Sequence, residues 1–202
     1  MYSKILEPKI DSMFSEIGDK VSELIDNMPS LYMASDSIAT LVASETTTRS
    51  KTMLSDMYSQ LSKQVLDSIH DIAKQNRFYE VNLRQEIFDK YNFEVPSASI
   101  NFTEANRIYT SFSSGAGTVA FGGVLILALS PATPIVPIAL IIAASVAVFC
   151  TTYFKVTPDS NRAKFKLAVN KYLIEVKSGY IAWFDEVEIY FNKRVVEINQ
   201  SM

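Results

Sequence analysis

The spacing of apolar residues before position 108 predicts a series of helices. In the first helix, apolar side chains recur every three or four residues on one stripe, which ends at Pro29. The stripe consists of Ile10, Met13, Phe14, Ile17, Val21, Leu24, Ile25 and Met28. A longer pattern runs from Ile38 to Ile72 and lapses at positions 44–52, where three consecutive threonines lower helix propensity, so we expect a break or bend there. A short third helix is predicted near Glu80 to Tyr91.

The end of the chain carries the most regular pattern. Between Asn161 and about Asn199, apolar and aromatic residues step by three or four: Phe165, Val169, Tyr172, Leu173, Val176, Tyr180, Phe184, Val187, Phe191, Val195 and Ile198. A helix of that span would be roughly 55 to 60 Å long. A small globule does not wrap such a helix, so the sequence predicts an all-α protein, an elongated antiparallel helical bundle. Residues 1–107 would supply its N-terminal helices and residues 155–202 its long C-terminal helix.

Residues 108–154 form a separate segment without charge. None of the 41 charged residues lies in these 47 positions, of which 30 are hydrophobic. Prolines 131, 134 and 137 oppose a continuous helix and predict a turn between two arms. The arms are Tyr109 to Leu129 and Ile135 to Phe154, 21 and 20 residues. Each would be about 30 Å long as a helix, the thickness of the hydrocarbon core of a bilayer.

This segment is therefore predicted to be a hydrophobic helical hairpin that enters a lipid membrane, because its arms are apolar on every side. The predicted membrane-inserting residues are Val119, Phe121, Val124, Leu125, Ile126, Leu127, Leu129, Pro131, Pro134, Ile135, Ile138, Leu140, Ile141, Ile142, Val146, Val148 and Phe149. Aromatic side chains near its ends predict an interfacial belt of Tyr109, Phe112, Tyr153 and Phe154. Cations beside them, predicted to bind lipid headgroups, are Arg107, Lys155, Arg162, Lys164 and Lys166.

The same pattern leaves the depth of insertion open. Glycines and prolines shorten the reliably helical pieces to about 14 or 15 residues, a length typical of buried or shallowly inserted segments. The hairpin would then span the bilayer, insert shallowly or only on a trigger, or stay buried in the bundle. Permanent burial is the weaker interpretation, because some 30 apolar residues would need most of the other helices around them.

Composition and motifs exclude most chemistry. A net charge of −3 gives no electrostatic footprint for nucleic acid. The chain has one histidine, His70, and one cysteine, Cys150, which together cannot supply a zinc site. No phosphate-binding loop is present. We therefore expect no enzyme, catalytic residue, metal, cofactor or small-molecule substrate. The N-terminal residues lack the apolar stretch of a secretory signal, which predicts a cytoplasmic, membrane-associated protein.

The last predicted helix also presents polar and aromatic residues outside its stripe. Because Trp183 directly precedes Phe184, one of the two rings is expected to lie off the stripe, a weak indication of an additional contact surface. A solvated face is the more ordinary interpretation of these positions.

The arrangement resembles a known family. A helical stalk interrupted by an uncharged, glycine-rich hairpin, from Gly115-Ala116-Gly117 through Phe149-Cys150, and followed by the long helix Phe165 to Ile198, is similar to the trunk and paddle of bacterial dynamin-like proteins. The resemblance covers about Ile38 to Asn199 and lacks the GTPase domain. It implies a hairpin tip that contacts membrane and a stalk that carries oligomer contacts. Helical pore-forming proteins of the cytolysin and colicin types are a weaker resemblance.

Three functions follow as expectations. The first is a non-enzymatic protein that inserts its hairpin into a bilayer and associates through its long helices, with a second copy or a helical protein partner, in membrane remodelling. The second is an α-helical pore-forming toxin or effector. The third is an interaction module whose hairpin stays buried. A pore requires a polar stripe along an inserted arm, and neither arm has one beyond Ser145 and a few threonines, which favours the first.

Overall fold

The computed structural model describes residues 3–91, 146, 149 and 161–200, which form five helices. These are α1 (Ser3–Asn27), α2 (Leu31–Ser68), α3 (Ile72–Glu80), α4 (Leu83–Lys90) and α5 (Arg162–Gln200). Helix accounts for 92% of the described residues, and these residues contain no strand. The all-α prediction is confirmed.

The predicted apolar stripes of α1 and α5 form the core. On α1, Ile10, Met13, Ile17, Val21 and Ile25 are at most 1% exposed, because residues three and four apart lie on one face of a helix. The stripe of α5 is also buried, except for the half-buried Tyr172 and Val195. Its largest buried side chains, including Phe165, Tyr180, Phe184 and Phe191, lie in the same cluster. The predicted last helix is confirmed to within about one residue at each end.

The predicted interruption at positions 44–52 is wrong, because α2 is one unbroken helix of 38 residues. Its hydroxyl side chains fold back onto their own helix: Thr46 donates to the carbonyl of Val42, and Thr47 donates to that of Ala43 at 2.7 Å. Thr46 and Ser50 are fully buried. A hydroxyl bonded to the preceding turn can be buried without another partner. These residues therefore pack inside the bundle, and this packing overrides their lower helix propensity.

The short helices α3 and α4 begin and end at other residues than the sequence predicted. The pattern assigned to the second helix continued to Ile72, but α2 ends at Ser68, and Asp71 caps α3 by accepting a hydrogen bond from the Ala73 amide at 2.8 Å. The predicted helix from Glu80 begins only at Leu83, since Asn82 has φ 42° and caps α4. A left-handed residue ends one helix and starts the next, which asparagine tolerates better than most residues.

Salt bridges fix the direction of α1 against α2. Lys9 pairs with Asp56 at 3.2 Å, and Lys20 pairs with Glu45. Residue numbers therefore fall along one helix as they rise along the other, and the two helices run in opposite directions.

The direction of α1 against α5 follows in the same way. Lys177 pairs with Asp11, and Lys166 with Asp26, both at 2.7 Å. These exposed pairs contribute little individually, so the apolar stripes between the helices carry most of the stability.

The third contact joins α2 and α5, which run in the same direction. The Tyr180 hydroxyl hydrogen-bonds to Ser50, and the Tyr58 ring meets the edge of Phe191 at 5.9 Å between centroids. Burial raises the pKa of Tyr180, so this hydroxyl stays protonated at any ordinary pH. A buried phenol needs a hydrogen-bond partner, and Ser50 supplies it.

Candidate functional site

Most of the predicted membrane-interacting residues lie outside the described part of the chain. Two of the inserting residues, Val146 and Phe149, and three of the headgroup-binding cations lie within it. The other predicted site residues, which lie outside it, are Arg107, Tyr109, Phe112, Val119, Phe121, Val124, Leu125, Ile126, Leu127, Leu129, Pro131, Pro134, Ile135, Ile138, Leu140, Ile141, Ile142, Val148, Tyr153, Phe154 and Lys155.

Val146 and Phe149 lie against the helical core. Val146 is 0% exposed and belongs to the core cluster, and Phe149 is half-buried beside it. The Phe149 ring stacks on Tyr172 of α5, with centroids 4.2 Å apart and planes 4° from parallel. Both residues have helical backbone and lie three positions apart in the sequence. This is the contact that the structure describes between the uncharged segment and the long helix.

Two of the three described cations bind groups of α1. Arg162, in the first turn of α5, donates to the carbonyls of Ile25 and Asp26, and to that of Met28 at 2.7 Å. Lys166 pairs with Asp26. The last carbonyls of a helix have no partner within it and carry the negative end of the helix dipole, which a guanidinium neutralises.

The third cation, Lys164, projects differently. Its side chain is exposed, while its backbone amide donates a hydrogen bond to the Asn161 side-chain oxygen Oδ1 at 2.9 Å, at the start of α5. Of the three cations, Lys164 is thus the one whose charge faces outward at this end of the helices. The sequence could not distinguish it from Arg162 and Lys166, because their α1 partners are about 140 residues away in the chain.

A polar cluster joins α4 to the other half of α5. Arg194 holds both carboxylate oxygens of Glu86, at 2.7 and 3.0 Å, and the Tyr190 hydroxyl donates to the same group. The Lys90 ammonium lies 3.5 Å from the centre of the Tyr190 ring. Burial and the bond to Glu86 raise the pKa of Tyr190 to about 12. Sequence reasoning missed this cluster, although an arginine four residues after a tyrosine on one helix was a signal for a shared partner.

The Arg194 guanidinium, with help from Tyr190, holds the pKa of Glu86 below its usual value of 4.5, against the opposing effect of burial. A carboxylate with a depressed pKa stabilises the fold above its unfolded pKa, and this stabilisation is lost as pH falls through the folded pKa. We therefore expect Glu86→Gln to lower the free energy of unfolding by about 1 kcal/mol at pH 7, since partial exposure screens the pair. The difference from the wild type should be smaller at pH 3 than at pH 7, because protonation of Glu86 removes its charge.

Urea unfolding at the two pH values measures this difference. The matched control is Glu80→Gln, which removes the charge of an exposed carboxylate at the end of α3. An equal loss at pH 3 and pH 7, or an equal loss in the control, would contradict the assigned role of the Glu86 carboxylate.

Histidine and grouped acidic side chains are the residues most often used in catalysis and metal binding. His70 lies exposed in the turn between α2 and α3, where its Nδ1 is 3.1 Å from the carbonyl of Ser68, and not on a helix as its surroundings predicted. Within residues 3–91, 146, 149 and 161–200, no three histidine, cysteine or acidic side chains are grouped closely enough to hold a metal ion.

None of the helices in the part of the chain that the structure describes is both long and apolar enough to span a bilayer. Comparison with protein-family models, with curated proteins and with solved structures found no match to this chain.

Proposed function

We propose that this protein binds lipid membranes without catalysing a reaction, and that it inserts the hairpin of residues 108–154 from an elongated antiparallel bundle. One observation carries the proposal: 47 consecutive uncharged positions divide at a proline turn into two arms of bilayer length, in a chain that is otherwise rich in charge. The cytoplasmic face of a membrane is the proposed site of action. By resemblance to the dynamin-like trunk and paddle, the role is membrane remodelling.

The exposed end of α5 supports a bundle that approaches anionic lipid. Lys164 and Lys171 project outward on the half of α5 nearest the uncharged segment in sequence, and Leu167 between them is 74% exposed. Long cationic side chains beside an apolar one suit the headgroup region, where each basic residue contributes about 1 kcal/mol to binding an anionic surface. Arg162 and Lys166 bind groups at the end of α1 instead. The proposed headgroup contact therefore includes fewer of the predicted cations.

Flotation of the full chain with vesicles tests the proposal. Vesicles of phosphatidylcholine and phosphatidylglycerol are loaded with a self-quenching dye and centrifuged through a density gradient after incubation with the protein. Flotation without dye release supports an inserted hairpin that anchors the bundle. Dye release would instead support the pore-forming alternative. Failure to float with vesicles of any phosphatidylglycerol content would overturn membrane binding in both forms.

The proposal includes self-association through the long helix. Ile174, Ile189 and Val196 are 49 to 62% exposed on α5, and Ile181 lies half-buried in line with them. These residues, termed the outer stripe, begin and end 22 residues apart, which is about six turns of 3.6 residues, so the stripe runs along the helix opposite its buried face. A helix with apolar residues on two opposite faces favours a second partner, and we propose a second copy.

We expect the double variant Ile174→Lys and Ile189→Lys to raise the dissociation constant of this association more than tenfold, because two cations per helix would enter an apolar contact. Sedimentation equilibrium over a concentration series measures it. The control is Ile5→Lys with Met33→Lys, two exposed apolar positions outside the outer stripe. A wild-type protein that is monomeric at every concentration, or a control that dissociates equally, would exclude this surface as a self-contact.

A further inference from the structure

We infer that Tyr172 of α5 regulates insertion by holding the second arm of the uncharged segment against the core, so that the contact with Phe149 must open before this arm enters lipid. The inference rests on the proposed function and concerns its control. It assigns to Tyr172 a role that the apolar pattern alone does not, since the pattern marks this residue only as part of the stripe.

Tyr172 makes a stacked contact with Phe149. The centroids of the two rings lie 4.2 Å apart, and the rings are nearly parallel. Val146, three residues before Phe149, is fully buried. Stacked aromatic pairs contribute more than their buried area alone. Two side chains predicted to enter the bilayer therefore already occupy an apolar environment made by the protein. Lipid and α5 compete for the same surfaces of Val146 and Phe149.

The position of Tyr172 on α5 explains why this contact can open without dismantling the bundle. Tyr172 is half-buried and lies 18 residues, or five turns, before Tyr190, so the two share one flank of the helix. Tyr91, at the end of α4, lies against Tyr190 and Trp183, at 5.8 and 5.9 Å between ring centroids. Phe149 and α4 therefore contact the same flank of α5. Phe149 lies nearer the first residue of α5, and α4 lies nearer the last.

Glu86 and Lys90 of α4 act on Tyr190 and Arg194, five to six turns further along α5. Val146 and the Phe149 ring present apolar surfaces to the core. A bilayer can replace the core around such surfaces with an equivalent apolar environment.

The first experiment compares vesicle binding of Tyr172 variants. Tyr172→Ala removes the ring, and we expect the lipid concentration for half-maximal flotation to fall by about 3- to 10-fold, the range that one aromatic pair provides. Tyr172→Phe keeps the stacking surface and should bind like the wild type. Tyr58→Ala truncates another half-buried tyrosine, whose ring meets the edge of Phe191 in the bundle. It should leave the half-maximal concentration unchanged.

The outcomes separate regulation from loss of stability. If Tyr58→Ala and Tyr172→Ala bind lipid equally better at equal losses of melting temperature, general loosening of the bundle explains both, and the inference is wrong. It is also wrong if Tyr172→Ala binds no better than the wild type.

The second experiment closes the contact reversibly. Phe149→Cys and Tyr172→Cys are combined in a Cys150→Ser background, and a short bifunctional thiosulfonate bridges the two thiols until reductant removes it. We expect the bridged protein not to float and the reduced protein to float. Flotation of the bridged form would overturn the inference and leave membrane binding standing. Failure of the reduced form and of the unmodified wild type would overturn the proposed function itself.

Discussion

Replacing Leu127 with aspartate is expected to remove the protein from floated vesicles while leaving its helical content unchanged. Leu127 lies in the apolar part of the first arm, four residues before Pro131. An aspartate in the hydrocarbon region of an inserted helix costs up to about 3 kcal/mol relative to leucine, which corresponds to up to about a hundredfold or more in binding. Flotation measures the loss, and far-ultraviolet circular dichroism measures the helix.

The matched control is Ile72→Asp. Ile72 is 73% exposed in the first turn of α3, so the same chemical change there adds a charge to an already hydrated surface. The control should float like the wild type. If Leu127→Asp also floats like the wild type, the first arm does not enter the bilayer, whatever other surface binds lipid.

Replacing Phe184 with alanine is expected to lower the free energy of unfolding by about 3 to 5 kcal/mol, a large part of the stability of an ordinary domain. Phe184 is fully buried on α5 and meets the edges of Tyr180 and Trp183, at 5.3 and 4.7 Å between centroids. Alanine would leave a cavity that rigid helices cannot close. Urea unfolding followed by circular dichroism measures the change at constant slope.

Tyr79→Ala makes the same kind of truncation on the surface. Tyr79 is 66% exposed on α3, and the centroid of its ring lies 6.4 Å from that of Phe78. We expect a change within about 0.5 kcal/mol, as for surface positions in general. A comparable loss in both variants would mean that burial on α5 does not dominate the stability of this protein.

The apolar periodicity predicted the buried faces of α1 and α5, because 3.6-residue spacing directly reports which face a helix turns inward. It failed where side chains satisfy themselves locally. Thr46 and Ser50 looked like helix breakers, yet each hydroxyl bonds to the carbonyl four residues earlier, and Ser50 also meets Tyr180. That partner lies 130 residues away, so the pattern of α2 alone contains no sign of it.

Trp183 and Phe184 illustrate a second limit. Adjacent residues on a helix point about 100° apart, which led to the expectation that one ring would lie off the core. Both are buried, because Tyr91 at the end of α4 covers the Trp183 side of the helix. Periodicity identifies a buried face but gives no information about how many neighbours a helix has, so the expectation that one of the two rings lies off the core is wrong.

The candidate site was predicted less completely than the fold. Composition located the uncharged segment, and proximity to it selected the cations. Proximity in sequence did not separate Lys164, which faces outward, from Arg162, which binds the carbonyls at the end of α1. Such an assignment depends on where another helix ends in space, and only the packed structure contains that information.

Arg162 also marks the point at which a mechanical force on the uncharged segment would be transferred to the helical bundle. It is the first residue of α5 and follows the uncharged segment by eight positions, so tension on the second arm reaches the bundle there. Its guanidinium donates hydrogen bonds to the carbonyls of Ile25 and Met28. The applied force therefore passes to the connection between α1 and α2. Because α1 and α5 run in opposite directions, the load then spreads in shear over the whole length of their contact. Under the proposed function, force from a membrane would therefore enter the bundle along this contact rather than by separating α5 one turn at a time.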